Sequence, residues 1–367
     1  VNQIVIHASR VASCKYWKNK SRAIMKFNNV CIESLGYFLP DEMVSSEAIE
    51  LRLSTLRETL SIDLGKLEAI SGIKTRRLWP VGTLPSDIGA KAALKAIEKS
   101  GFEINEIQAL INTGICRDHL EPATATVIHR KLKMDPNCHV FDISNACLGF
   151  MNGMSVAASM IELGQAETVL VVSGENPAPV YEDTIRFLNL KENQTEENYR
   201  FSIASFTLGA GAVAMVMTSK RKSKWGHQFL GGVAQIDSTA NEYCLATGDN
   251  HNQIMRTNTR ELMRAGITLC SVTWELFTRE LGWGADAVHH FVTHQVSIQH
   301  QVKLFEALRL DISKDFRTFP EFGNTGSVAV PLSLAKLEES GKLVSGDKIA
   351  LLGVGSGLNS IMMGVKW

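Results

Sequence analysis

Leu163-Gly-Gln-Ala-Glu-Thr-Val-Leu-Val-Val-Ser-Gly174 and Val344-Ser-Gly-Asp-Lys-Ile-Ala-Leu-Leu-Gly-Val-Gly355 follow the same plan. In each, a helix ends, a polar turn follows, and a strand-forming run closes on glycine. The run Thr168 to Ser173 is β-branched and apolar without polar alternation, as in strands covered on both faces by helices. A second echo joins Ile104–Thr113 to Ala285–Thr293, each a polar turn leading into a strand that ends in threonine. Echoes separated by about 180 residues indicate a duplicated α/β unit and not a solenoid of short repeats.

Outward from these runs, strand-like and helix-like blocks alternate. Strands are expected over Phe27–Leu35, Ala109–Thr113, Val140–Ile143, Ala210–Met217, His290–Thr293 and Lys348–Gly353. Helices are expected from a Ser86 cap through Ile88–Ile97, over Gly149–Leu163 and Thr259–Leu281, after Gln295, and around Val330–Glu339. The halves are read as 25–220 and 221–367, joined through the charged, turn-rich stretch Ser219 to Gly226.

The chain has 367 residues, is 45% hydrophobic and 21% charged, and balances 38 basic against 38 acidic residues, which excludes wholesale disorder. A net charge of zero supplies no field for nucleic acid, and no apolar run reaches the roughly 18 residues of a membrane span. The balance is uneven, because the first 26 residues carry Arg10, Lys15, Lys18, Lys20, Arg22 and Lys26 and no acid. This stretch lacks the apolar core of a secretory signal, and Met25 directly precedes a patterned strand. Residues 1–24 are therefore expected to be a basic extension dispensable for activity.

Seven cysteines with no Cys-x-x-Cys pair argue against a disulfide framework or a structural zinc site, and favour reduced thiols in a cytoplasm. Cys147 stands where a strand turns into a small-residue helix, and a thiol at a helix N-terminus is expected to have its pKa lowered. The alternative is a buried core cysteine. His294 follows a strand whose carboxyl end is a place where α/β sheets collect ligands, although a structural histidine fits as well. Asn324, in Gly323-Asn-Thr-Gly326, reads alone as a turn residue. Together the three form a Cys/His/Asn set able to carry a nucleophile and donate to a developing oxyanion.

Gly353-Val-Gly-Ser-Gly357 is not a dinucleotide loop, because the position of the third glycine is Leu358 and too few residues remain for a βαβ unit. With Ser356 at its centre it suits an oxyanion hole or a plain turn. Glu121 is either a solvated loop acid or, desolvated in a pocket, a stronger base for a C–H proton. A papain-like protease shares the order Cys, His, Asn, but its Cys-Gly-[Ser/Ala]-Cys-aromatic signature is absent.

Asn145-Ala-Cys147-Leu-Gly-Phe-Met-Asn-Gly-Met154, His294-Gln-Val-Ser297, Gly323-Asn-Thr-Gly326 and Gly353-Val-Gly-Ser-Gly-Leu-Asn359 resemble the thiolase superfamily, in its ketoacyl-ACP synthase III branch. Arg76-Arg-Leu-Trp79, Leu110-Ile-Asn-Thr113, Arg117-Asp118, Leu120-Glu-Pro122, Leu208-Gly209 and Leu281-Gly-Trp283 narrow the likeness to the OleA-type acyl-CoA condensing enzymes. The resemblance spans residue 25 to Trp367. It implies a duplicated five-layered thiolase fold, a cytoplasmic homodimer, and non-decarboxylative Claisen condensation of two long-chain fatty acyl-CoA molecules to a β-keto acid for olefin synthesis. Coenzyme A thioesters would be substrates, with no cofactor or metal, and later enzymes of the olefin pathway would be partners.

By the same resemblance Cys147 carries the first acyl group, and His294 and Asn324 orient and stabilise charge. The backbone N–H groups of Cys147 and Ser356 form the oxyanion hole, and Glu121 acts from the neighbouring subunit as the α-proton base. The Gly-Asp-Gly-Ala-Gly stretch usual in ketoacyl-ACP synthases is here Thr207-Leu-Gly-Ala-Gly-Ala212, without the acid, as in the OleA type. The competing readings are a decarboxylative ketoacyl-ACP synthase III using malonyl-ACP, which needs no carboxylate base, and a non-catalytic subunit of the same fold.

Overall fold

Neighbouring residues of the central strands enter different layers. The computed structural model describes residues 23–247 and 253–367. Its strands are β1 (Ala23–Lys26), β2 (Val30–Phe38), β3 (Met43–Ser45), β4 (Thr75–Arg77), β5 (Ala109–Asn112), β6 (His139–Asp142) and β7 (Thr168–Glu175). They continue with β8 (Gly211–Ser219), β9 (His227–Ile236), β10 (Cys244–Thr247), β11 (Ile254–Thr257), β12 (His290–Thr293), β13 (Lys348–Gly355) and β14 (Asn359–Lys366). Hydrogen bonding links ten of them in the order β12-β13-β14-β9-β2-β8-β7-β5-β6, with β1 on β9.

The layers follow from side-chain alternation. Val169 and Val171 of β7 join Ile349 and Leu351 of β13 in one central core that also contains Met151, Met154 and Leu332. Leu170 and Val172 face the other way, onto Ile88, Ala92 and Ile128. Ala350 and Leu352 likewise face away, onto Leu269, Phe277 and Leu304. The helices Gly149–Glu162 and Ala329–Glu339 thus lie between the two halves of the sheet, Pro85–Ser100 and Thr124–Leu132 cover one outer face, and Thr259–Leu281 and Ile298–Leu308 the other. This is the duplicated five-layered α/β thiolase fold. The two echoes coincide with corresponding strands, since β5 lies parallel to β7 and β12 parallel to β13.

Two details differ from the sequence reading. Ser86 is the second residue of its helix and does not cap it; Pro85 opens the helix, and the carboxylate of Asp118 accepts the Ser86 N–H at 2.9 Å. At the chain's start, Ala23 and Ile24 pair with Ala234 and Val233 of β9, so a truncation beginning at Met25 would cut β1 in two. Residues 1–22 of the expected extension, and Cys14 with them, lie outside the described residues.

The helix Gly149–Glu162 approaches β5 so closely that a Cβ on Gly149 would stand 2.3 Å from the carbonyl oxygen of Thr113. Gly149→Ala is therefore expected to destabilise the fold by about 1–3 kcal/mol through overpacking against backbone. Thermal unfolding measures this, and an unchanged Tm would show that the helix withdraws freely.

Candidate active site

The carboxyl ends of β5, β7, β12 and β13 deliver polar residues to one region, as expected where covered strands leave their layers. Thr113 follows β5, Glu175 ends β7, His294 follows β12, and Gly355 and Ser356 close β13. Cys147 lies in the 3-10 turn Ala146–Leu148 that opens onto the helix Gly149–Glu162. This turn packs on the end of β13 and on the turn Gly326–Val328.

Ala146 has φ 44°, a conformation that costs a residue with a Cβ of the order of 1 kcal/mol or more. The turn is held from outside: the Asn145 amide donates to Asn152 Oδ1 at 2.8 Å, and Asn359 Nδ2 lies 3.4 Å from Asn145 Oδ1. A Cβ on Gly355 would be 3.1 Å from Leu148 Cγ, so the glycine lets the end of β13 lie close against the turn that carries the cysteine. Ser356 follows, partly exposed, its carbonyl accepting from Asn359 Nδ2 at 3.3 Å.

His294 is buried, its backbone N–H bonded to Leu352 O at 2.9 Å, while its Nδ1 has no hydrogen-bond partner among the described residues. Burial, with His300 adding repulsion, pushes its pKa down to about 3, so the imidazole is neutral at physiological pH. Asn324 is fixed through its backbone, its N–H donating to Thr207 O and its carbonyl accepting from Gly209 N–H, both at 2.8 Å. Its Oδ1 accepts the Gly326 N–H at 3.0 Å, which leaves the NH2 end to donate. The stretch without the usual acid therefore serves as the seat of Asn324.

Glu121 is not in this cluster within the single chain. It stands on the exposed loop between β5 and the helix Thr124–Leu132, beside Leu120, which is 91% exposed. Three residues near the site escaped the sequence reading. Glu175 is buried and accepts the N–H groups of Ile115 and Cys116. Arg76 is fully buried and donates at 2.9 Å to Ser46 Oγ and to Phe206 O, next to the carbonyl that receives Asn324. Cys244 lies close enough to Cys147 for its charge to oppose ionisation there. Only Arg76 had a sequence signal, and that as part of a family motif.

The 3-oxoacyl-[acyl-carrier-protein] synthase III model matches residues 141–235, and its C-terminal companion matches 278–367. The acyl-CoA:acyl-CoA alkyltransferase of Xanthomonas campestris pv. campestris is 39% identical over 94% of this chain and 100% of its own length. The chain belongs to the acyl-CoA:acyl-CoA alkyltransferase (OleA) family. It is an acyltransferase of the thiolase superfamily. The Shewanella oneidensis member is 37% identical over 94% of this chain and its whole length. The cerulenin-bound Xanthomonas campestris OleA structure superposes with a TM-score of 0.90 at 39% identity, covering 94% of this chain and 98% of that one. Another, with bound lauric acid and lauroyl-CoA, gives 0.89 at 38%, covering 93% and 100%. The β-ketoacyl-[acyl-carrier-protein] synthase III of Clostridium tetani is more distant, at 25% identity over 94% of this chain and its whole length.

In this member of the OleA family the cysteine is not the low-pKa thiolate expected from its helix position. Burial raises the Cys147 thiol from 9.0 to about 12, with Cys244 and Glu175 adding to the rise. A helix dipole contributes at most about 2 kcal/mol, or about 1.5 pKa units, in the opposite direction, so desolvation wins. Thiol and imidazole are both uncharged at rest. Alkylation of Cys147 by iodoacetamide, followed by peptide mapping, is therefore expected to quicken about tenfold per pH unit from pH 7 to pH 10 without levelling. A plateau below pH 9 would show instead a thiolate stabilised before substrate arrives.

Proposed function

We propose that the protein joins two fatty acyl-CoA molecules by non-decarboxylative Claisen condensation. The carrying observation is that the chain holds both a half-buried Cys147 at the strand ends and a carboxylate, Glu121, on a protruding loop. A decarboxylating synthase has no use for such a base, because loss of CO2 itself leaves the carbanion.

Cys147 sulfur, surrendering its proton as it attacks, adds to the first thioester carbonyl. The tetrahedral oxyanion accepts hydrogen bonds from the backbone N–H groups of Cys147 and Ser356, and coenzyme A leaves as its thiol. His294, neutral and with a free ring nitrogen, and the NH2 of Asn324 steady the carbonyl oxygen of the second acyl-CoA as Glu121 removes its α-proton. The carbanion attacks the acyl-Cys147 carbonyl and expels the cysteine sulfur. Hydrolysis of the remaining thioester gives a β-keto acid and coenzyme A. Coenzyme A thioesters are thus substrates, and the chain's own groups suffice without a cofactor or metal.

A homodimer brings Glu121 to a partner's Cys147. The supporting features are the edge strand β6, paired among the described residues with β5 alone, and the exposed apolar side chains of Ile115 and Leu120 on the loop that follows β5. Of the basic extension 1–24, residues 1–22 are proposed to be dispensable, since Ala23 and Ile24 belong to β1, and 25–220 and 221–367 are proposed to be the two duplicated halves. No helix among the described residues is long and apolar enough to cross a membrane. The six described cysteines are free, in keeping with a reducing cytoplasm, where the product would pass to later enzymes of olefin synthesis.

Cys147→Ala is expected to abolish acyl loading, read by intact mass after incubation with a long-chain acyl-CoA, at an unchanged Tm. Glu121→Gln is expected to load normally but to condense about 10²- to 10⁴-fold more slowly. Mixing the two inactive variants restores activity if subunits exchange and the base acts across the interface. Undiminished condensation by the Gln variant would reject Glu121 as the base and return the decarboxylative reading.

A further inference from the structure

Glu175 closes β7 as a buried carboxylate that the reaction described above does not use. Three donors converge on it. The Ile115 N–H reaches Oε1 at 2.8 Å, the Cys116 N–H reaches Oε2 at 3.0 Å, and the Ser327 hydroxyl also donates to Oε1. Ser327 Oγ lies a further 2.7 Å from Ser173 Oγ.

These donors belong to two different segments. Ile115 and Cys116 begin the loop that carries Glu121, and Ser327 follows Gly323-Asn-Thr-Gly326, which carries Asn324. The segments also touch each other: Gly326 has φ 60°, and a Cβ there would lie 3.4 Å from Ile115 Cδ1 and 3.6 Å from Glu175 Oε1. The rest of the Glu121 loop is tied down separately, before Glu121 by Asp118 and at its far end by Asp142. Asp118 receives Ser86 N–H at 2.9 Å, and Asp142 receives the N–H groups of Thr124 and Ala125 at 2.9 and 2.8 Å.

The chemistry of this contact demands a carboxylate. An ionised Glu accepts on both oxygens and donates nothing, whereas Gln has one accepting oxygen and would turn its NH2 toward a backbone N–H. Desolvation raises the Glu175 pKa while the bonds from Ile115, Ser327 and Cys116 lower it again, so the donors repay part of the burial. The same carboxylate adds to the rise of the half-buried Cys147 thiol, so it lies near enough to that residue to act on it.

We propose that Glu175 is a positioning residue for condensation, holding the root of the Glu121 loop, whose carboxylate serves the partner's site, in a fixed register against the Asn324 loop of its own site. The inference rests on the acyl-CoA condensing reading. It assigns Glu175 to the second half-reaction more than to the first, because acyl loading does not use Glu121.

Glu175→Gln separates these steps. Acyl loading, followed by intact mass, is expected to stay within about threefold of wild type, while condensation of the loaded enzyme slows about 10- to 100-fold, as for a lost hydrogen bond to a buried charged group. In a Glu121→Gln background the same substitution should add little, since a misplaced base and an absent base fail alike. Ser327→Ala, which removes one donor and leaves the carboxylate, should slow condensation less but with the same selectivity, and it decides the matter should Glu175→Gln not fold. Equal slowing of both half-reactions, or an effect that multiplies in full with Glu121→Gln, overturns the positioning role. A wild-type enzyme that never acquires an acyl group on Cys147 overturns the condensing reading itself, and the assignment of Glu175 with it.

Discussion

Coverage of the sheet on both faces is the constraint from which the rest of the molecule follows. Along β7, Val169 and Val171 are buried in the central layer while Leu170 and Val172 are buried in the outer one, so no position in mid-strand tolerates a charge. Polar groups are driven to the strand ends, where backbone leaves the layers and unpaired donors and acceptors are available. Thr113, Glu175, His294 and Ser356 occupy such ends. The duplicated unit thereby makes one site from two sets of strand termini, with Cys147 delivered from the helix between them.

The same burial governs the chemistry. A group taken from water is penalised when charged, which raises thiols and lowers imidazoles, and Cys147 and His294 respond in these opposite senses. Cys147, the proposed nucleophile, and the His294 imidazole are thus both uncharged at rest, and in the proposed reaction charge would develop only where donors await it. Preorganised N–H groups are worth more under these conditions than in water, because they need no reorientation as the oxyanion forms. The Nδ1 of His294, buried with no hydrogen-bond partner among the described residues, fits this arrangement, because a buried ring nitrogen left unpaired costs the fold stability.

Much of the architecture was legible because it rests on patterns of many residues. The helix Thr259–Leu281 and the strand His290–Thr293 fall at the expected boundaries, since glycine or polar turns punctuate them clearly. Cys147, His294 and Asn324 were legible as a set because each sits at a strand or turn terminus with a recognisable local sequence. What escaped depends on contacts across the chain. Glu175 follows an apolar run and reads as an ordinary strand end, yet its donors come from residues 115, 116 and 327. The direction of the Cys147 shift was likewise hidden, because the helix N-terminus is local and visible whereas the desolvation that outweighs it is tertiary. The Ser86 cap failed for the same reason, the capping acid being Asp118, supplied by another loop.

The proposed base on an exposed loop and the proposed nucleophile in a half-buried turn are compatible only if the loop is rigid. Catalysis needs the two held to within a fraction of an ångström, and side chains on free loops do not meet that standard. Here the loop is tied at its start to Glu175, further along to Ser86 through Asp118, and at its end to Asp142, which leaves a short arm around Leu120 and Glu121 projecting from the chain. An arm anchored so firmly to its own subunit, yet exposing an apolar Leu120, is built to enter something other than its own core. The edge strand β6 beside it offers the unpaired backbone on which a second copy would align. In the dimer proposed above, exchanged bases would complete each active site, and Glu175 would serve both subunits: it would steady the Asn324 loop at home and the base delivered next door.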